Sequence, residues 1–436
     1  MDAVEPVSKI ILEDSDSNLK DKSEEDLNLS KIETVIEADF AVIPPPDEGY
    51  AWVIMIACLF NLLLAFGSFN AFGVFQTYYL EVLFVDESAN YIAWISTVCG
   101  VFTFVGGLAA TPIVRKVGLK YSSLIGTLIC VIGLLLASFS SQVWQLIITQ
   151  GLLFGFGSSI IINVSLTVPA LWFDKYRALA YGIVASGGGF GGIILIPIVN
   201  KVISASNIHW AFRTLCFVYL AMTGVGGMLL RPRSSYTPSE GTLDFKLLKN
   251  PVTIALCFIG FFMQIGFNIV AMYFPTSLVL IGKTPDQATN YLMVFCACTG
   301  SSRAITGYLT KYFKPTSILF VCHVLSGIFF MSMWYTSDKF SVLISFFVLI
   351  GFVCIPYMTL GPVIASENFS KEDLSQVNAI TYIAMGISVL ISLPSVGAIF
   401  ETYGKRTNFS ALIVIASISY FISALFVIYL RFSEKK

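Results

Sequence analysis

Apolar stretches of twenty or more residues, almost free of formal charge, recur along this chain from about residue 51 to 430, and short polar turns separate them. They fall at about 51–79, 91–113, 122–141, 144–171, 178–199 and 211–230, then at about 252–281, 287–309, 315–336, 340–365, 375–398 and 408–430. A helix needs about 20 predominantly apolar residues to cross a bilayer, and only helices or closed barrels satisfy every backbone polar group there. The pattern predicts an all-α integral membrane protein with twelve spanning helices. Composition agrees: 12% of the 436 residues are charged, half the roughly 25% usual in soluble domains. A net charge of −1 offers no basic patch, so nucleic acid is not an expected partner.

The interruptions define the organisation. Residues 1–49 hold 14 of the 27 acidic residues with four lysines and no long apolar run, which predicts a disordered acidic tail, cytoplasmic and open to regulatory partners. The polar stretch 231–250 is the predicted cytoplasmic linker between an N-terminal six-helix bundle, 50–230, and a C-terminal one, 251–431, with a short cytoplasmic tail at 432–436. With the N-terminus inside, fifteen lysines and arginines beyond the tail fall on cytoplasmic segments and five on outer loops, so both termini are expected in the cytoplasm. All nine cysteines lie in apolar stretches and read as small packing residues; no metal or cofactor is expected.

Three features inside the apolar stretches bear on function. Arg303 is the one arginine well inside a span. A guanidinium stays charged, so in hydrocarbon it must face protein or water, or reach an interface along its own stem. His323, also within a span, is the remaining side chain there that titrates near neutrality, a candidate proton relay or a hydrogen-bonded packing residue. Third, the run Ser186 to Gly192 (SGGGFGG) lets backbones approach, across a moving seam or in static packing. The two halves also echo each other weakly, at Gly107 and Gly307. Two parallel six-helix repeats with a site between them resemble the plan of major facilitator transporters.

Two motifs sharpen this. Asp47-Glu48-Gly49-Tyr50-Ala51-Trp52 resembles the acidic-Gly-Gly-aromatic-Gly-Trp signature of the monocarboxylate porter family at the start of its first helix, with Glu48 and Ala51 departing from its glycines. Trp172 to Gly187 (WFDKYRALAYGIVASG) is similar to that family's motif leading into helix five, including Lys175, Arg177, Gly182 and Gly187. The resemblance covers residues 46 to about 430 and lies closest to fungal members. It implies gating or anchoring roles for Asp47, Trp52, Asp174, Lys175, Arg177, Gly182 and Gly187. It also implies an anion site at Arg303, while the family's helix-one lysine falls on Asn70 and its helix-eight aspartate on Thr299. All acidic residues can be assigned to the tail, loops or helix ends, so no buried carboxylate replaces the missing one.

The expectation is a plasma-membrane transporter (a vacuolar or other internal membrane being the alternative) of an organic anion, monocarboxylate-like or flavin-like. It works by alternating access, with facilitated diffusion or weak coupling. Phe66, Asn70, Thr299 and Tyr357 join Arg303 as candidate solute contacts. The alternatives are a proton-coupled monocarboxylate symporter and a nutrient receptor that binds without transporting. Enzymatic chemistry is not expected, because no nucleophile–base pair or ligand cluster is present.

Overall fold

The computed structural model describes residues 44–234, 236–239 and 244–433. The predicted tail up to residue 43, and with it any regulatory partner site there, lies outside the described residues, as do 434–436. The compact unit that holds the helices begins at Pro46 and includes Asp47.

Among the described residues the chain is helical throughout. The helices are α1 (Tyr50–Tyr78), α2 (Ala89–Val105), α3 (Ala110–Ala137), α4 (Val143–Leu146) and α5 (Phe154–Trp172). Next come α6 (Arg177–Ala205), α7 (Ile208–Leu229), α8 (Phe245–Lys249), α9 (Pro251–Leu280) and α10 (Pro285–Leu309). The last five are α11 (Pro315–Phe329), α12 (Phe340–Val353), α13 (Tyr357–Asn368), α14 (Leu374–Thr402) and α15 (Ser410–Ser433). Short polar residues start them where expected. The side chains of Ser88, Asn207 and Asn250 each accept a backbone N–H of the following first turn, and Thr284 with Gln287 forms a reciprocal capping box.

Among the described residues, ten helical runs are long and apolar enough to cross a membrane. The difference from the twelve predicted lies in two places. Tyr91–Ala137 is a single 47-residue run, interrupted where Gly118 takes φ +80°, a left-handed conformation that glycine adopts without steric cost. Pro285–Leu309, which carries Arg303 and many small polar residues, stands outside the ten. The exterior is apolar, with Phe217, Val225 and Leu425 facing outward, as lipid contact requires.

Helix α6 is the centre of the packing. One face, through Gly187 and Gly191, meets the backbone of α1 at Leu59 and Leu63. The opposite face meets α10 through Gly182, Gly188 and Gly189. A Cβ at Gly182 would lie 2.8 Å from the Arg303 carbonyl, and one at Gly189 would overlap the backbone of Gly300. The glycine run therefore serves two seams, and the second joins the earlier helices to the later ones.

Candidate functional site

Arg303 sits on that second seam. It is 5% exposed, and Nη1 donates to the Ala185 carbonyl of α6 at 2.9 Å. This places the guanidinium against protein; it does not snorkel toward Lys311. Among the described residues it is the only Asp, Glu, Lys or Arg that is buried. Gly188 makes room for it, since a Cβ there would overlap Nη1. The Phe66 ring lies 6.0 Å from the guanidinium carbon, and Nε has no hydrogen-bond partner. A buried donor left unmade costs about 1–3 kcal/mol, more when charged, so the fork is poised to take an acceptor.

The other predicted contacts are placed differently. Phe66 starts an aromatic chain, with Phe104 at 6.2 Å and Tyr382 a further 5.7 Å on. The Tyr382 hydroxyl donates to the Met358 sulfur at 3.6 Å. Sequence patterning missed Tyr382, because an aromatic in an aromatic-rich chain carries no signal of its own. Asn70 donates to the Gly188 carbonyl at 3.0 Å, next to the guanidinium, and is half-buried. Thr299, one turn before Arg303, donates to its own helix at Cys296 (3.0 Å). Tyr357 is engaged elsewhere: its hydroxyl donates to the Leu256 carbonyl at 2.8 Å and its ring packs on Gly260. His323 is fully buried beside Ser423 and Tyr420. Ser423 donates to the Ile259 carbonyl and so accepts from Nδ1 at 2.9 Å, which ties the imidazole to the packing of α9, α11 and α15.

On the cytoplasmic side by the predicted orientation, the two sequence motifs meet as one clasp. Asp47, at φ +63°, accepts backbone N–H bonds from Asp174, Lys175 and Tyr176 at 3.0–3.3 Å, where the chain enters α6. A carboxylate at a helix start is favoured by both the free N–H groups and the helix dipole. Trp52 donates to the Asp47 carbonyl at 3.1 Å and packs on Phe173 and Tyr176. Gly49 turns at φ +51° to allow this. Asp174 pairs with Arg177 at 2.8 Å, and Arg177 also donates to the Ser366 carbonyl at the end of α13, at 3.2 Å. The Lys175 ammonium lies over the Tyr176 ring and takes no part in the pair.

A second set of bonds closes the seam beside this clasp. Ser375 of α14 donates to Asn163 Oδ1 at 2.8 Å, and Asn163 Nδ2 donates back to the Ser375 carbonyl at 3.0 Å. Since the Ser375 proton is thus used, Thr111 donates to Ser375 Oγ, at 2.8 Å. The linker is held at both ends: Trp172 donates to the Arg231 carbonyl at 2.7 Å, while Ser239 donates to Asp373 and its backbone N–H to Glu372 at 3.1 Å. All hydrogen bonds described here between helices α1–α7 and α9–α15 lie at Arg303 or at these closures.

Comparison with known proteins places this geometry. The family model described as Major Facilitator Superfamily matches residues 57–352 and 256–436. An MFS-type transporter of Gibberella moniliformis is 28% identical over 365 residues, 82% of this chain and 85% of that protein. The agnestins efflux protein of Paecilomyces divaricatus is 26% identical over 369 residues, 83% of this chain and 84% of its own length. Among solved structures, the proton:xylose symporter XylE bound to 6-bromo-6-deoxy-D-glucose aligns with a TM-score of 0.71 at 14% identity, over 86% of this chain and 95% of that one. At that identity the likeness is one of fold alone.

Proposed function

We propose, because this chain belongs to the major facilitator superfamily, that Arg303 is the solute-binding centre of a carrier for an organic anion. The chain is a multi-pass membrane protein that transports a small solute, and its family is a class of transporters, not of enzymes. The finer reading is ours. Twelve crossings result if Tyr91–Ala137 is counted as two across Gly118 and Pro285–Leu309 is added, with both termini cytoplasmic and two six-helix halves meeting at the α6–α10 seam. The motifs favour kinship with monocarboxylate porters, and the plasma membrane is the proposed location.

The observation that carries the reading is the buried guanidinium on the seam, with Nε unpartnered and an aromatic chain beside it. A carboxylate would take the fork bidentately, and the rings of Phe66, Phe104 and Tyr382 would take its apolar body. No acidic residue is buried among the described residues, so the site lacks the carboxylate partner that proton coupling would use. Facilitated diffusion follows, with access alternating as the closures on the cytoplasmic side form and part. A second reading has one observation in its favour: relatives from Paecilomyces divaricatus and Gibberella fujikuroi are efflux proteins for agnestins and fujikurins. On that reading the solute is a larger acidic or carbonyl-bearing metabolite, moved outward.

The test is thermal stabilisation of the purified protein by a panel of monocarboxylates, dicarboxylates and riboflavin. A ligand at 100 times its Kd raises stability by about 2.7 kcal/mol. Stabilisation by carboxylates that disappears in Arg303→Ala supports the anion site. Equal stabilisation of both proteins would remove Arg303 from it.

A further inference from the structure

Helix α14 presents Ser375, Asn378 and Tyr382 at spacings of three and four, so the three share one face. Ser375 closes the seam through Asn163 and Thr111, and Tyr382 ends the aromatic chain that runs through Phe104 to Phe66 beside Arg303. Between them lies a small cavity of about 10 Å³, lined by Phe104, Ser159, Asn163, Asn378 and Tyr382 among others. Asn378 is 2% exposed, and its Nδ2 has no hydrogen-bond partner. A buried amide donor without an acceptor is destabilising, and this one borders the space between the gate and the binding centre.

We propose that Asn378 is a second station for the solute, on the cytoplasmic side of Arg303, whose side-chain N–H donates to a carboxylate oxygen as the gate opens. The proposal rests on the reading of Arg303 as the anion site. At about 10 Å³ the cavity is far smaller than the roughly 300 Å³ at which small-molecule pockets begin, so it admits a solute only after the flanking helices part. Parting breaks the Asn163–Ser375 pair, which frees the Asn163 amide to face the same space. Neutral amide donors suit a way-station. An amide donor bonds the carboxylate without adding the Coulomb attraction of a guanidinium, so the anion is received and then released. A second cation there would hold it.

Salicylate, an aromatic monocarboxylate, serves as the probe with the full chain in proteoliposomes. In Asn378→Ala, affinity for salicylate from the outer side should stay within twofold of wild type, while counterflow of radiolabelled salicylate falls about tenfold. Asn378→Ser keeps a donor and should recover most of the rate. Counterflow within twofold of wild type in Asn378→Ala overturns the proposal, as does an equal fall in affinity and rate. Should the alanine variant not fold, Asn378→Cys decides. An anionic, membrane-impermeant methanethiosulfonate should modify it from the cytoplasmic face, faster when combined with Ser375→Ala, above the background of the native cysteines. No modification from that face in either protein overturns the proposal. If salicylate stabilises wild type and Arg303→Ala equally, the Arg303 reading fails and the carboxylate assignment at Asn378 fails with it. Thiol modification then still reports whether residue 378 lines the path.

Discussion

The clasp around Asp47 and the seam around Arg303 solve the same problem, holding helices together through polar groups, in opposite surroundings. At the clasp, Asp47, Asp174, Lys175 and Arg177 are exposed or half-buried, and the bonds are redundant. Exposed ion pairs contribute about 0–1 kcal/mol, so no single partner there is decisive. At the seam one buried charge has one side-chain bond to a backbone carbonyl and a donor left over, so the loss of one group changes everything. Redundancy suits an anchor, and an unmet donor suits a binding site.

Substitutions can break or sharpen this contrast. The largest effect is expected from Arg303→Ala, which should weaken binding of a stabilising carboxylate by about 2–5 kcal/mol, read by thermal shift or equilibrium binding. Gly189→Val comes next. Its side chain would strike the backbone of Gly300, so the α6–α10 seam should not close, and transport should fall at least about tenfold with normal membrane insertion. Gly188→Ala should displace the guanidinium without blocking the seam and raise Kd by about tenfold (about 1.4 kcal/mol). Asp47→Ala should lower stability by about 1–2 kcal/mol, as loss of a helix-capping carboxylate does, while Kd stays unchanged. The smallest effect is expected from His323→Gln, which should leave the pH profile of transport unaltered; a flattened profile would bring the imidazole into the cycle.

Much of this is legible in the sequence. A lone arginine in an apolar stretch stands out because hydrocarbon penalises charge, and the structure places Arg303 on the helix seam. The two motifs could be recognised separately, but that they form a single clasp depends on a contact across 127 residues. The residues of the gate had no such signal. Ser, Thr and Asn in spanning helices often bond their own backbone, as Thr306 does to Ser302 and Thr381 to Asn378. Nothing local distinguishes those from Thr111, Asn163 and Ser375, whose partners lie on other helices. Tyr357 misled for the mirror reason: its hydroxyl is spent on Leu256, a tertiary partner that composition does not reveal. At Gly118 the basic turn that divides two apolar stretches in the sequence, with Arg115, Lys116 and Lys120, sits as a bend inside one helical run.

The doubly held linker sets a mechanical limit. Arg231 is fixed by Trp172 on one side and Ser239 by Asp373 and Glu372 on the other, so eight peptide steps join the two attachment points. A fully extended chain reaches about 3.3–3.6 Å per residue, which caps the strap at roughly 26–29 Å. In the proposed alternation of access, these two points cannot separate beyond that reach unless an attachment lets go. On that proposal the strap would act as a stop on the amplitude of the stroke, and inserted Gly-Ser pairs should let that end open wider.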